Sequence, residues 1–251
     1  MATIKAVIFD FIGTLTNVKD YTMEESKKKL CKAVVEAGFD IEDDRFLEEY
    51  SLAHEKYRLV RYQELVEVTN AVWISEALNN LGFKTKPEDK RIQKTVNDFF
   101  EDYLKSLELR QCARNMLEKT SPNHRLGLIS NFTYAPVIRA GLERLCINQF
   151  FNVVLISQEI GWRKPCHKIF EEVLRRLEVK AEETVYVGDS PLEDVKGAKA
   201  AGMRTVFVPS QFYSRESLAE SKQKPDLIVR DICDLFVKFP EFAKSLQSSF
   251  S

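Results

Sequence analysis

The spacing of apolar and polar residues changes twice along the chain. Residues 3–9 end in a run of four apolar residues, which predicts a short buried strand. From about residue 20 to residue 107, apolar residues recur at helical spacing and predict four helices. We expect the third helix to run from about Gln63 to Leu81, and the fourth to begin at a capping box between Thr85 and Glu88.

Strands and helices alternate from about residue 125 onward. The apolar runs RLGLIS, NVVLIS, TVYVGD and RTVFVP predict strands, and helical patterns separate them. This alternation predicts a parallel sheet with helices on both faces, and the first strand has the same character. The expected fold class is therefore α/β. It comprises a three-layer, Rossmann-like core of residues 1–17 and 108–251, with a helical-bundle cap inserted at residues 18–107.

Composition and charge exclude several classes of protein. Of the 251 residues 44% are apolar, enough for a sizeable core, and 37 basic residues balance 38 acidic ones. We therefore expect neither a nucleic-acid partner nor an anionic membrane partner, and no stretch approaches the roughly 18 apolar residues of a membrane span. The five cysteines are isolated in sequence, which favours a reducing compartment, argues against a structural zinc site and predicts a cytoplasmic location.

Polar residues end three of the predicted strands. These residues are Asp10, Ser130 and Asp189, and Asp194 follows in the first turn of a capped helix. Ligands of a parallel sheet bind beyond the carboxyl ends of its strands, where Lys164 of the loop GWRKP is also expected. Clustered carboxylates need a cation, and an all-oxygen ligand set suits Mg²⁺. A lysine and a hydroxyl group beside a metal suit a phosphoryl group, toward which a carboxylate can act as nucleophile.

Four short segments in this order resemble the motifs of the haloacid dehalogenase superfamily, whose members are mostly phosphatases. The segments are DFIGTLT, LISN, GWRKP and GDSPLED, and the predicted helical insertion is placed like the cap of that superfamily. The glycine-rich patterns of dinucleotide and P-loop sites are both absent from the sequence. The resemblance implies a Mg²⁺-dependent hydrolase that acts on a small phosphorylated metabolite.

The resemblance also implies a role for each matching residue. Asp10 would be the nucleophile that forms an aspartyl-phosphate, and Ser130 would bind phosphate. Lys164 would offset the negative charge on Asp10 and on the phosphoryl group. Asp189 would be a Mg²⁺ ligand. Asp194 is expected to be a metal ligand or to support the metal site from outside the coordination shell. Thr14 and Asn131 are expected to assist in phosphate binding.

Ile12 departs from the motif. Phosphatases of the superfamily carry a second aspartate two residues after the nucleophile, and this aspartate transfers the protons. Ile12 can still offer its backbone carbonyl to the metal, but it has no group that transfers a proton. General acid–base catalysis is worth a factor of about 10² to 10⁴ in rate. Metal binding and nucleophilic attack are thus still expected, and proton transfer is the step that Ile12 would impair.

Three interpretations follow from this departure. The first is a phosphatase that is slow, or that prefers substrates with good leaving groups such as acyl or aryl phosphates. The second is a 2-haloacid dehalogenase-type hydrolase, a branch that also lacks the second aspartate but has no reason to keep both carboxylates of GDSPLED. The third is a catalytically weak protein that binds a phosphorylated ligand or serves a regulatory role.

The cap stretch EKYRLVRYQ is a candidate for substrate contact. It groups Lys56, Arg58 and Arg61 with two tyrosines and could present a cation to an anionic substrate. The alternative is a solvated helix face whose tyrosines pack into the bundle. In the core, Cys166 stands where the superfamily often has a helix-capping aspartate, at an expected cost of about 1 kcal/mol in stability.

Overall fold

The computed structural model describes residues 3–248. Residues 1, 2 and 249–251, which include both outer limits of the predicted core, lie outside the described residues. The strands are β1 (Ala6–Phe9), β2 (Thr16–Val18), β3 (Leu107–Leu109), β4 (Arg125–Ser130), β5 (Val153–Ile156), β6 (Thr184–Gly188), β7 (Arg204–Phe207) and β8 (Leu227–Ile228). The α-helices are α1 (Met23–Glu36), α2 (Asp43–Gln63), α3 (Asn70–Asn80), α4 (Lys90–Ser106), α5 (Ala113–Thr120), α6 (Ala135–Arg144), α7 (Ser157–Ile160), α8 (His167–Leu177), α9 (Lys196–Ala200), α10 (Arg215–Ser221) and α11 (Ile232–Ser248).

Six strands form one parallel sheet in the order β5-β4-β1-β6-β7-β8. The four residues of β1 are fully buried at its centre, and they alternate between two apolar clusters. Val7 and Phe9 belong to the cluster that α5, α6 and α11 cover, whereas Ala6 and Ile8 belong to the cluster under α8. The sheet is therefore covered on both faces, and the predicted three-layer α/β fold is confirmed.

The four helices α1–α4 lie between β2 and β3, which pair with each other as a short antiparallel ribbon. These helices share an apolar cluster of their own, built on Phe46, Trp73 and Phe99 among others, which also takes in Tyr134 and Val137 at the start of α6. Thr22 caps α1 by accepting a hydrogen bond from the backbone N–H of Glu25, as its capping-box pattern indicates. The separate apolar cluster of these helices supports a division of the chain into a core and an inserted cap. The predicted boundaries of that cap, residues 18–107, stay a prediction.

Two helix starts differ from the sequence-based expectation. The third helix begins at Asn70 and not near Gln63, because the backbone of residues 65–67 pairs with the loop at residues 161–163. The fourth begins at Lys90, and Asp89 caps it. The Thr85 hydroxyl donates instead to the carbonyl of Ser75, so it is not available as a helix cap.

The isolated spacing of the cysteines gave no indication of a disulfide, yet Cys112 and Cys233 form one. They lie 121 residues apart in sequence, and the fold places the turn after β3 beside the start of α11. Cys166 does stand at the N-cap of α8, and its side chain makes no capping hydrogen bond. Within residues 3–248, none of the helices combines the length and apolar character needed to cross a bilayer.

Candidate active site

Three adjacent strands bring their carboxyl ends together at one edge of the sheet. Asp10 follows β1, Ser130 ends β4 and Asp189 follows β6, with β1 in the middle of the three. They line a cavity of about 350 Å³ together with residues of the cap. A larger cavity of about 610 Å³ lies at the opposite edge, near Lys5 and Arg125, but within residues 3–248 no cluster of carboxylates lines it. The polar edge predicted from the strand ends is therefore the place where chemistry is expected.

The carboxylates of Asp10, Asp189 and Asp194 form the centre of this site. Each offers an oxygen, and these oxygens lie within 4.8 Å of one another. Oδ2 of Asp10 is buried and accepts no hydrogen bond from residues 3–248. A buried carboxylate oxygen without a donor is costly, and a divalent cation bound by oxygen ligands would remove that cost. The donor set therefore fits Mg²⁺.

Lys164 is the cation that the protein itself supplies. Its Nζ donates to Oδ1 of Asp10 and to Oδ1 of Asp194, at 2.7 Å each, and its side chain is only 2% exposed. It also lies 3.1 Å from the Ile129 carbonyl and 3.0 Å from the Tyr186 hydroxyl. Burial disfavours the ammonium, but Asp10 and Asp194 together hold the Lys164 pKa well above its usual value. Lys164 is thus charged and fixed against Asp10.

Both oxygens of Asp194 accept hydrogen bonds from the protein. The Tyr186 hydroxyl donates to Oδ1 at 3.0 Å, and the backbone N–H of Ser190 donates to Oδ2 at 2.9 Å. Ser190 also caps the following helical turn, as its sequence pattern indicates. A Cβ at Gly188 would lie 2.4 Å from the Asp194 carboxyl group, so only glycine fits at the end of β6. Asp194 is therefore the most firmly held of the three carboxylates.

The loop after Asp10 packs against Asp189. Gly13 has φ +92°, and a Cβ there would lie 2.2 Å from Oδ2 of Asp189. Thr14 is buried, and its hydroxyl donates to Oδ1 of Asp189 at 3.5 Å. Ser210 donates to the other oxygen. Thr14 thus contacts the carboxylate cluster but does not line the cavity, in contrast to Ser130.

Asn131 connects two of the sequence motifs. Its amide nitrogen donates to the Lys164 carbonyl at 2.9 Å, and its amide oxygen accepts from the Lys164 N–H at 2.8 Å. Asn131 also lines the cavity. Its side chain therefore positions the Lys164 loop through two backbone contacts.

Ile12 lines the cavity two residues beyond Asp10. Its backbone bridges to Thr16, and its side chain packs against the main core cluster. It brings no titratable group to the cavity. Among the residues that line the cavity, the titratable groups outside the carboxylate cluster that carry no positive charge are Tyr62, Tyr103, Tyr213 and Glu193.

Of the three basic residues in the cap stretch EKYRLVRYQ, only some line the cavity. Arg61 lines the cavity and pairs with Glu67 at 2.6 Å. Lys56 pairs with Glu76, and Arg58 pairs with Glu55; neither lines the cavity. Arg61 is therefore the one member of the predicted cationic group that faces the site.

Several residues of the site were not found by sequence reasoning. Tyr186 hydrogen-bonds both Lys164 and Asp194, and Ser210 hydrogen-bonds Asp189. The Arg110 guanidinium donates to the carbonyls of Gly13 and Pro209, which holds the loop after Asp10. Arg163 precedes Lys164 and lines the cavity. Only Arg163 carried a signal in sequence, since it stands within the segment GWRKP.

Burial and mutual repulsion raise the pKa values of two carboxyl groups. The pKa of Asp10 rises to about 7, because burial and the charge of Asp194 together outweigh the attraction of Lys164. The pKa of Asp189 rises to about 8, because it is buried and lies beside Asp10 and Asp194. Without a bound metal ion, the site therefore holds protons near neutral pH.

These shifts predict how the stability of the metal-free protein depends on pH. An unfolded aspartate ionises near its ordinary pKa of 3.8, whereas Asp10 and Asp189 stay protonated until about pH 7 and 8. The folded protein thus binds more protons over this interval, so its free energy of unfolding should fall from about pH 4 to about pH 8. Bound Mg²⁺ would displace these protons. Thermal unfolding in EDTA and in Mg²⁺ should show a stabilisation by Mg²⁺ that grows from pH 5 to pH 8.

The Asp189→Asn variant is the control for this prediction. It removes one of the two titrating groups, so the fall in stability should become shallower and the stabilisation by Mg²⁺ smaller. A melting temperature in EDTA that rises over this pH interval would contradict the raised pKa values.

Comparisons with known sequences bear on the family of the chain. The family model described as haloacid dehalogenase-like hydrolase matches residues 7–208. A glyceraldehyde 3-phosphate phosphatase of Methanopyrus kandleri is 32% identical over 96% of this chain and 99% of its own. A ribulose-1,5-bisphosphate 5-phosphatase of Halopiger xanaduensis is 28% identical over 84% of this chain and 87% of its own.

Solved structures share the fold. A 2-haloacid dehalogenase from Pseudomonas syringae has a TM-score of 0.66 at 22% identity, covering 96% of this chain and 99% of its own. A phosphatase from Thermococcus onnurineus has a TM-score of 0.62 at 23% identity, covering 94% of this chain and 97% of its own. The resemblance seen in the four motifs is thus confirmed: the chain belongs to the haloacid dehalogenase-like hydrolase family and is a hydrolase.

Proposed function

We propose that this hydrolase is a Mg²⁺-dependent phosphatase of small phosphorylated metabolites. The observation that carries the proposal is the group of three convergent carboxylates with Lys164 bound to Asp10 at 2.7 Å. Full-length relatives named as phosphatases support the same activity.

In the proposed reaction, the Asp10 carboxylate attacks phosphorus, and the ester bond to the leaving oxygen breaks. Water then attacks the aspartyl-phosphate at phosphorus, which releases phosphate and restores Asp10. Lys164 and Ser130 bind the phosphoryl oxygens. Asn131 assists through its two backbone contacts with Lys164, and Thr14 assists through its contact with Asp189.

Asp10, Asp189 and the Ile12 carbonyl would hold Mg²⁺, with Asp194 as a ligand or as the group that fixes Lys164. The ion supplies positive charge that stabilises the phosphoryl group in the transition state. The protein supplies the rest of the charge balance through Lys164. Residues 18–107, with helices α1–α4, would form the cap, and closure of the cap over the cavity would exclude water.

Ile12 makes the proposed activity selective for the leaving group. No side chain at this position can protonate a departing alkoxide, so acyl and aryl phosphates should be cleaved faster than alkyl phosphates. The Ile12→Asp variant should raise turnover of an alkyl phosphate tenfold or more, and it should raise turnover of an aryl phosphate by less. Phosphate release measured at saturating Mg²⁺ checks both values.

The Ile12→Asn variant is the matched control, because it has nearly the same shape as Ile12→Asp but transfers no proton. It should leave the alkyl phosphate rate at or below that of the unmodified protein. Equal rates for Ile12→Asp and the unmodified protein would contradict the assignment, since another group lining the cavity, such as Glu193, would then transfer the proton.

A screen of phosphate release tests the function as a whole. Acyl, aryl and sugar phosphates are incubated with the protein in Mg²⁺ and in EDTA, and Mg²⁺-dependent release is expected. Chloride release from 2-haloacids in EDTA would instead show a dehalogenase. Tight Mg²⁺-dependent binding of phosphorylated compounds without turnover would show the binding or regulatory role that the loss of the second aspartate leaves open.

A further inference from the structure

The cap side of the cavity contains a second buried cation. Arg163 directly precedes Lys164 and lines the cavity that holds Asp10. Its side chain is 3% exposed, and the ring of Tyr62 lies 4.5 Å from the guanidinium carbon. Two backbone hydrogen bonds hold residues 161–163 against the cap. The Arg163 N–H donates to the Leu65 carbonyl at 3.0 Å, and the Glu67 N–H donates to the Gly161 carbonyl at 2.9 Å.

Arg163 has more donors than the protein satisfies. Its Nη2 donates to Glu193 at 3.1 Å, while Nε and Nη1 have no hydrogen-bond partner among residues 3–248. Nη1 lies 3.7 Å from Glu67, beyond hydrogen-bond distance. Each buried donor left without an acceptor is unfavourable, and more so on a charged group. A ligand in the cavity that offers oxygen acceptors would therefore be favoured at this position.

The neighbouring residues strengthen the case for an anion. Arg61 also lines the cavity, and it shares Glu67 with Arg163. The side chain of Glu67 is fully buried, does not line the cavity and accepts a further hydrogen bond from Ser157. Two guanidinium groups thus border the cavity on its cap side. Of their two acidic partners, Glu193 lines the cavity and Glu67 does not. A guanidinium is well suited to bind carboxylate and phosphate oxygens.

We propose that Arg163, with Arg61, forms a subsite for a second anionic group of the substrate, a carboxylate or a phosphate, beyond the phosphoryl group at Asp10. The subsite rests on the proposed phosphatase function and narrows it to metabolites with two anionic ends. Glu193 limits the affinity of the subsite, because it occupies one donor of Arg163 and repels an incoming anion.

Substrate pairs that differ in one group test the subsite. 3-Phosphoglycerate is compared with glycerol 3-phosphate, and propane-1,3-diol bisphosphate with 3-hydroxypropyl phosphate; the first pair tests a carboxylate and the second a phosphate. We expect kcat/KM for at least one doubly anionic compound to exceed that of its partner about tenfold, as charge-assisted hydrogen bonds allow. Equal values within both pairs would overturn the proposal.

Two variants should change this ratio in opposite directions. Arg163→Gln should reduce it to about one, whereas Glu193→Gln should increase it by releasing a donor and removing a negative charge. A purely structural role of the Arg163–Glu193 pair would impair both variants alike and leave the ratio unchanged, which would contradict the proposal. Arg58→Gln is the control, since Arg58 pairs with Glu55 away from the cavity, and it should keep the ratio of the unmodified protein.

Calorimetry separates a failure of the subsite from a failure of the proposed function. Binding of the compounds of both pairs is measured in Mg²⁺ for the unmodified protein and for the Arg163 and Glu193 variants. If no phosphate is released but a doubly anionic compound binds about tenfold tighter than its partner and this difference depends on Arg163, the subsite stands without the phosphatase. If phosphate is released while the two compounds of each pair bind equally, the phosphatase stands without the subsite.

Discussion

The Asp10→Asn variant is expected to lose at least about 10⁴-fold in Mg²⁺-dependent phosphate release, on the scale seen when a covalent nucleophile is removed. An amide at this position cannot form the aspartyl-phosphate and is a poor ligand for Mg²⁺. The fold should be retained, because the substitution removes one of three mutually repelling carboxylates and leaves the pair between Lys164 and Asp194 in place. Steady-state phosphate release gives the loss in rate, and thermal unfolding checks the fold.

A matched substitution outside the site controls for the change from acid to amide. Asp40 is exposed at the end of the α1–α2 turn and does not line the cavity, so Asp40→Asn should keep full activity. In EDTA, Asp10→Asn should melt at or above the temperature of the unmodified protein, and Mg²⁺ should raise its melting temperature less. Full activity of Asp10→Asn would refute the assignment of the nucleophile.

The Lys164→Met variant is expected to lose both activity and stability. Methionine keeps much of the side-chain volume, but it leaves Asp10 and Asp194 without the buried cation that now bonds both at 2.7 Å. Removing one partner of a buried ion pair costs about 3–5 kcal/mol in the free energy of unfolding. Turnover should fall by about 10²- to 10³-fold or more, because the phosphoryl group loses a fixed cation. Chemical denaturation and phosphate release measure the two losses.

The stability loss should depend on pH in a defined direction. Lys164 stabilises the Asp10 carboxylate only when it is ionised, and the Asp10 carboxyl group, with its pKa raised to about 7, is protonated at pH 5 and needs no cation there. The loss in the metal-free protein should therefore be smaller at pH 5 than at pH 8. Lys168→Met is the control: Lys168 is exposed, lies over the Trp162 ring four residues from Lys164, and should be dispensable for turnover. A loss that is greater at pH 5 would contradict this account of Lys164.

Much of the fold could be predicted from the sequence because the signals are local. Buried parallel strands appear as unbroken apolar runs, as in Ala6–Phe9 and Arg125–Ser130, and their carboxyl ends share one edge. The polar residues that end these strands, Asp10 and Ser130, therefore had to lie close together. Ser190 was also predictable as a helix cap, since capping depends on residues three positions apart.

The remaining parts of the site depend on contacts between distant segments. Tyr186 faces Lys164 because of the register of β6, and Arg110 reaches the loop after Asp10 from the strand ribbon beside the cap. The start of α3 shifted because residues 65–67 pair with a loop about 95 residues further along the chain, which outweighs their local helical pattern. The disulfide between Cys112 and Cys233 likewise follows from the fold and not from spacing. Sequence patterns carry no information on such pairings.

The central claim, a phosphoryl group carried by Asp10, can be tested by trapping the intermediate. The protein is mixed with an aryl phosphate in Mg²⁺, quenched in acid after a single turnover, digested and analysed by mass spectrometry. Because Ile12 provides no base to activate water, the aspartyl-phosphate should accumulate, and the peptide that contains Asp10 should gain the mass of one phosphoryl group. Asp10→Asn should show no adduct. A phosphoryl group on any other residue would contradict the account.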